Sequence, residues 1–209
     1  MANKRTLLVE GNDDKHVIYS LCSIRGVREV DQVIPLGSVD DLLADFPVRL
    51  KASDDGDIIG VVLDADTDLL SRWKALRDRL IQAGYAAVPD SPIPEGTVVD
   101  PPAGTLLPRV GVWLMPDNQA DGILENFVQF LVPNGSRLFD HVKSSVASIP
   151  ESERRFKQLK EPKALIHTWL AWQKEPGKPL GQAITARYLD PDVLQVDVLV
   201  AWLNRLFFE

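Results

Sequence analysis

Apolar residues in this chain follow two rhythms. Stretches rich in β-branched and aliphatic residues at Arg5–Val9, Val30–Leu36, Asp57–Leu63 and Val110–Met115 read as strands, the first and third as buried parallel strands. Between the first three of these runs the apolar positions recur with helical spacing. Val17, Ile18, Leu21 and Cys22 share a face of a helix predicted over Asp13–Ile24, and Leu42, Leu43, Phe46 and Leu50 line a second, with Ser38 as its N-cap. A third helix is predicted over Asp68–Ala83, ended by Gly84. Strands alternating with helices in this way predict an α/β fold with a mainly parallel sheet and right-handed crossovers.

After Tyr85 the pattern loosens. The Pro- and Gly-rich stretch from Pro89 to Pro108 predicts a hairpin or long loop, with Thr97-Val98-Val99 as a short strand. From Asp121 onward the chain reads as helical. Leu124, Phe127, Val128 and Leu131 form one apolar face, Leu165, Ile166, Trp169 and Leu170 another, and Val196, Leu199, Val200, Leu203 and Leu206 a last one. The expected organisation is an α/β domain over residues 1–135 and a C-terminal helical extension over 136–209, packed on the same core.

Composition changes this picture little. At 209 residues with 45% hydrophobic content, the chain is long enough for a substantial core. The single cysteine, Cys22, excludes an intrachain disulfide and suits a reducing compartment, where it reads as a small buried hydrophobe. The apolar run that follows Asn3-Lys4-Arg5 is too short for a secretory signal, and no run is long enough to span a bilayer. These features predict a soluble, cytoplasmic protein. A net charge of −7 argues against one that coats nucleic acid non-specifically, but not against a nuclease whose carboxylates hold metal.

The chemistry is concentrated where two strands end. The first ends at Glu10-Gly11-Asn12-Asp13-Asp14, the third at Asp64-Ala65-Asp66-Thr67-Asp68. In open α/β sheets the carboxyl ends of the strands border the ligand crevice. Residues two apart on an extended strand end point the same way, so Asp64 and Asp66 are expected to face one ion. Gly11 is expected to let the backbone turn sharply without placing a Cβ in the crevice. Asp14, one helical turn past Glu10, is expected to reach the same crevice, and Asp68 is an alternative cap for the third helix. Together Glu10, Asp14, Asp64 and Asp66 make a hard, oxygen-rich set suited to Mg²⁺ or Mn²⁺.

Leu8-Val9-Glu10-Gly11 with Asp14, then Leu63-Asp64-Ala65-Asp66, resembles the two signature motifs of Toprim domains. The whole chain is similar to a small stand-alone bacterial Toprim-like family related to the nuclease domain of the OLD family. The resemblance implies a Toprim, Rossmann-like fold and one or two divalent cations. Asp117 follows the strand Val110–Met115, whose end is expected beside the first or third strand, and Asp121–Asn126, with Glu125, resembles the segment that supplies the second carboxylate cluster of OLD-type nucleases. With Glu10, Asp64 and Asp66 they are expected to support a second ion about 3.5–4 Å from the first. Lys163, at the start of a helix after Glu161-Pro162, matches a lysine that stabilises phosphoryl charge. Glu10, Asp64, Asp66 and Lys163 are thus the expected catalytic set.

The implied activity is metal-dependent phosphoryl transfer on nucleic acid, DNA ahead of RNA, by a Toprim/OLD-like nuclease. OLD-type nucleases join this domain to an ATPase, and this chain has no Walker motif. A second reading is therefore a non-catalytic or partner-activated Toprim module working with a separately encoded ATPase in a phage-defence setting. Self-association as a homodimer is compatible with either. A third reading takes Asp64 and Asp66 as the nucleophile and acid of a haloacid-dehalogenase-like phosphatase, although Thr67 follows the second Asp without the usual spacer.

Plainer roles stand beside these. Asp117 and Glu125 also fit a solvated loop and an exposed helix face, and Lys163 a solvated helix start. His167, one turn after Lys163, is expected to be partly buried, and His141 exposed. Trp169, Trp172, Trp202, Phe207 and Phe208 have the spacing of core residues rather than of a base-stacking platform. With no cysteine pairs, zinc is not expected.

Overall fold

The computed structural model describes residues 3–209. Its five strands are β1 (Arg5–Val9), β2 (Gln32–Pro35), β3 (Ile58–Asp64), β4 (Thr97–Val99) and β5 (Arg109–Met115). They form one sheet in the order β2-β1-β3-β5-β4, parallel throughout except for the antiparallel edge strand β4. Helices α1 (Asn12–Arg25), α2 (Val39–Ala52) and α3 (Leu69–Ala83) connect the first strands. The predicted caps form: Ser38 Oγ accepts from the Asp41 amide at 3.1 Å, and Gly84 closes α3 in the left-handed region at φ 110°. Asp68 is an N-cap too, accepting the Ser71 amide at 2.9 Å.

Period-two alternation along the strands divides the interior into two cores. Leu8, Val61, Leu63, Val112 and Leu114 face α2 and α3, where Phe46, Leu50, Trp73 and Leu76 cover them. Leu7, Val9, Val62, Trp113 and Met115 face the other way, toward α1 and the rest of the chain. That remainder comprises α4 (Leu124–Phe130), α5 (Arg137–Ala147), α6 (Glu161–Ala171), α7 (Leu180–Thr185) and α8 (Leu194–Phe207). Residues on either side of position 135 belong to a single apolar cluster, from Phe127 and Val128 through Phe139 to Trp202 and Leu206.

Helix α8 approaches the sheet closely because two cross-strand partners lack side chains. Gly60 and Gly111 lie opposite each other on β3 and β5. A Cβ at Gly60 would come within 3.0 Å of Phe207, and one at Gly111 would overlap Leu206. Trp202 completes the contact, its Nε1 donating to the Thr97 carbonyl of β4 at 3.1 Å. No helix among the described residues is long and apolar enough to cross a membrane.

Candidate functional site

The carboxyl ends of β1 and β3, neighbours in the sheet, open into a cleft of ≈ 240 Å³ lined by Glu10, Asn12, Asp13, Asp14, Asp64, Glu125, Lys160 and Lys163, with Gly11, Gly37 and Leu124 between them. Each functional side chain has a local reason to be there. The chain leaves β1 at Glu10, whose carbonyl accepts from the Gly37 amide at 2.8 Å. Asp14, in the first turn of α1, accepts the Gly11 amide through Oδ2 at 3.0 Å, which aims its carboxylate back at the strand end. Asp64 ends β3 and accepts the first amide of α4, from Leu124, at 2.8 Å. Glu125 follows on α4 and is buried, and Lys163 on α6 reaches across to its Oε1 at 3.0 Å.

The carboxylates are crowded and short of donors. Glu10 Oε2 and Asp14 Oδ1 are both buried with no hydrogen-bond partner. Burial pushes the Asp14 carboxyl up to about 7; the Gly11 amide opposes this, and the charges of Glu10 and Glu125 add to it. Asp64 is raised to about 8, again chiefly by burial, then by the charges of Asp14 and Glu10. Glu10 is raised by burial and by Asp66, against the pull of Arg72, the Asp64 backbone and Lys160. Burial works against the charge on Lys163, but its hydrogen bond to Glu125 and the acidic surroundings leave the ammonium above its ordinary value. Like charges held together out of water are the physical signature of a functional site.

Not every expected residue joins the cleft. Asp64 and Asp66 do not point the same way: β3 ends at Asp64, and Asp66 adopts φ 55°, which breaks the alternation. Asp66 pairs with Arg72 at 2.5 Å in an adjoining hollow and hydrogen-bonds through its amide to the Gly122 carbonyl at 2.8 Å. Asp117 also stays out of the cleft. Its Oδ1 accepts the amides of Gln119 and Ala120 at 3.0 and 2.9 Å, closing the turn after β5. Gly11 sits at φ −134°, backbone that any residue adopts, so no sharp turn requires it; its place is tight because a Cβ would lie 3.3 Å from Asp14 Oδ2.

Other expectations are corrected by exposure. His167 is exposed rather than partly buried, and Cys22 is only partly buried. Trp169 and Trp202 are core residues as expected, but Trp172 is 43% exposed and stacks on His141. Lys160 was missed as a site residue. Its sequence signal is its place among Lys157, Lys163, Lys174, Lys178 and Arg187, which make the tail more basic than the rest of the chain and read by default as solvated surface.

Among the described residues no group of three or more His, Cys, Asp or Glu side chains is close enough to enclose an ion as the side chains stand. Asp64 Oδ1 is engaged by Leu124, and Glu125 Oε1 by Lys163. The donor chemistry nonetheless fits a hard dication. The free atoms are carboxylate oxygens, two are buried without partners, and the acids raise one another's pKa.

Fold and site together define an α/β protein with an acidic, lysine-flanked cleft at the carboxyl edge of a mainly parallel sheet. Residues 4–208 match the family described as protein of unknown function (DUF3226), and the chain belongs to that family. No curated protein and no solved structure matches it.

Proposed function

We propose that this chain is a Toprim-type, divalent-metal-dependent phosphoryl-transfer enzyme acting on nucleic acid, in the form of a nuclease that hydrolyses phosphodiesters. The observation that carries the reading is the pair of buried, partnerless oxygens, Glu10 Oε2 and Asp14 Oδ1, in a cleft that Lys163 and Lys160 border. A buried carboxylate without a donor is costly, and a hard cation relieves that cost. Glu10, Asp14 and Asp64 would hold Mg²⁺ or Mn²⁺, with Glu125 the candidate for a second ion. The bound ion would supply Lewis-acid polarisation of the phosphodiester and acidify water. Lys163 and Lys160 place positive charge where the phosphate must sit, and a lysine fixed by Glu125 stabilises charge that builds on phosphoryl oxygens. Asp66 supports the site from outside, its charge bearing on Glu10.

The test is cleavage of supercoiled plasmid, single-stranded DNA and RNA with Mg²⁺, Mn²⁺ or chelator. Metal-dependent cleavage lost in Glu10→Gln and Asp64→Asn is the expected result; normal cleavage by both variants would overturn it. A second reading is a non-catalytic or partner-activated module working with a separately encoded ATPase; the Lys163–Glu125 ion pair, which occupies one Glu125 oxygen, is the contact that such activation would have to open. Robust cleavage by the isolated protein would remove that reading. The phosphatase reading is the weakest, because Asp66 is committed to Arg72 rather than set beside Asp64 as an acid.

A further inference from the structure

The cleft is bordered on one side by a row of lysines at a spacing of three. Lys157 is the N-cap of a 3₁₀ turn, Gln158–Lys160, and Lys160 is both the last residue of that turn and the N-cap of α6. The Lys160 amide donates to the Lys157 carbonyl at 2.8 Å, so the turn holds the two residues close together in the backbone. Lys163 follows in the first turn of α6, and it lines the cleft together with Lys160. Lys157, exposed and outside that lining, is the next lysine back along the chain.

The neighbouring charges leave this row available. Lys163 is paired with Glu125, and Arg155 with Glu153 at 3.5 Å, whereas Lys157 and Lys160 are exposed and take part in no salt bridge among the described residues. The segment that carries them is anchored by Phe156, packed against the core, and by the Lys160 amide donating to the Lys157 carbonyl at 2.8 Å. Two unpaired cations are thus held in fixed register on a chain whose net charge is −7. A local positive row on an acidic protein suits a polyanion that must approach an acidic cleft along one path.

We propose that Lys157 and Lys160 form a track for the backbone of a nucleic-acid strand, seating successive phosphates that flank the one beside Lys163. The track rests on the nuclease reading for its direction, since the reacting phosphate defines its inner end. Both residues act as positioning residues. They bind phosphates rather than bases, so the track is indifferent to sequence and sensitive to salt.

The experiment measures binding of short fluorescein-labelled single strands, DNA and RNA, by anisotropy across a salt series with Ca²⁺ present. It compares the wild type with Lys157→Gln, Lys160→Gln, the double variant, and Lys74→Gln as a charge-matched control on α3, which packs on the other face of the sheet from α6. Each track variant is expected to weaken binding about tenfold at low salt and to flatten the plot of log affinity against log salt by about 0.7–1. The double variant should flatten it by about twice that, Lys→Arg variants should restore most of it, and Lys74→Gln should change nothing. An unchanged slope in the double variant, or no strand binding by the wild type, would overturn the track. Hydrolysis of bis(p-nitrophenyl) phosphate, which has no flanking phosphates, separates the two readings. A slope that moves as expected without any metal-dependent hydrolysis leaves the track standing and removes the nuclease. Hydrolysis with an unmoved slope does the reverse.

Discussion

Strands β3 and β5 lie side by side, carry similar apolar runs and are each followed by a carboxylate, yet the two carboxylates have opposite fates. Asp64, closing β3, is drawn into a crowd of acids where burial and like charge raise it to about 8. Asp117, two residues past the end of β5, accepts two amides of its own turn. The difference is burial among like charges on one side and local hydrogen bonding on the other. Where following backbone amides point at the carboxylate, the charge is satisfied at once and the group is structural. Where a helix from elsewhere contributes a single amide, as α4 does for Asp64, electrostatic demand remains for a ligand to meet.

Catalysis provides the largest test of this contrast. Asp64→Asn and Glu10→Gln remove charge from the cleft and are expected to lower metal-dependent phosphodiester cleavage by about a thousandfold, the scale of several kcal/mol of lost charge stabilisation. Asp117→Ala is expected to change the rate by less than about tenfold. Initial rates on one labelled oligonucleotide compare all three, and a loss in Asp117→Ala matching that in Asp64→Asn would erase the distinction.

The ionisation of the cleft gives the next effect. Asp14 and Asp64 rise from an ordinary 3.8 to about 7 and about 8, so the folded chain holds protons that the unfolded chain releases. Their contribution to stability is therefore complete below 3.8 and is lost as pH rises through about 7 and then about 8. Thermal melts in chelator should show wild type losing stability across that window and Asp64→Asn losing less. Mg²⁺ should raise the melting temperature mainly at the alkaline end, where both groups are charged. An identical pH slope in Asp64→Asn would show that the crowding around Asp64 is not felt.

Much of this contrast was open to sequence reading, and the part that was not has a local cause. The strands, the caps at Ser38, Asp68 and Gly84, and the meeting of Glu10 with Asp64 follow from apolar runs and cap chemistry. The orientation of Asp66 was hidden because one left-handed residue undoes a period-two rule, and sequence does not mark a non-glycine residue with positive φ. Asp117 was misplaced because Asp-Asn-Gln-Ala reads equally as a ligand loop and as a turn closed by its own side chain. Lys160 reads by default as solvated surface, one of several cations on a basic tail with Lys157, Lys163, Lys174, Lys178 and Arg187, because a lysine in irregular chain looks solvated until the helix after it is docked. The pairing of Gly60 with Gly111 did carry a signal, since side chains missing from adjacent buried strands mark a close approach, here by α8.

The ion pair at the cleft mouth tests whether charge there is held by partners or left for a ligand. Glu125 is 4% exposed at its side chain and Lys163 45%. Lys163→Met leaves the buried Glu125 without its cation and is expected to destabilise the fold by about 1–2 kcal/mol, below the value for a fully buried pair because the lysine is half in water. Glu125→Gln in the same background should recover most of that loss. Urea melts of the two variants decide it, and a double variant no more stable than Lys163→Met would mean that the pair is not what holds Glu125 in place.

The smallest effect lies at the end of β5 and completes the contrast. Asp117→Ala deletes the acceptor for the Gln119 and Ala120 amides, in a turn that also holds Asn118 at φ 62° with its Oδ1 accepting from Leu114 at 2.6 Å. The expected cost is about 1 kcal/mol, typical of a lost cap or turn acceptor. Because the amides of its own turn meet the Asp117 carboxylate, the cost should stay constant across the pH window in which Asp64→Asn gains on wild type. If instead the deficit of Asp117→Ala shrank in step with the ionisation of the cleft, its charge would belong with Glu10 and Asp64. The two strand ends would then form one electrostatic unit, with the turn hydrogen bonds incidental to it.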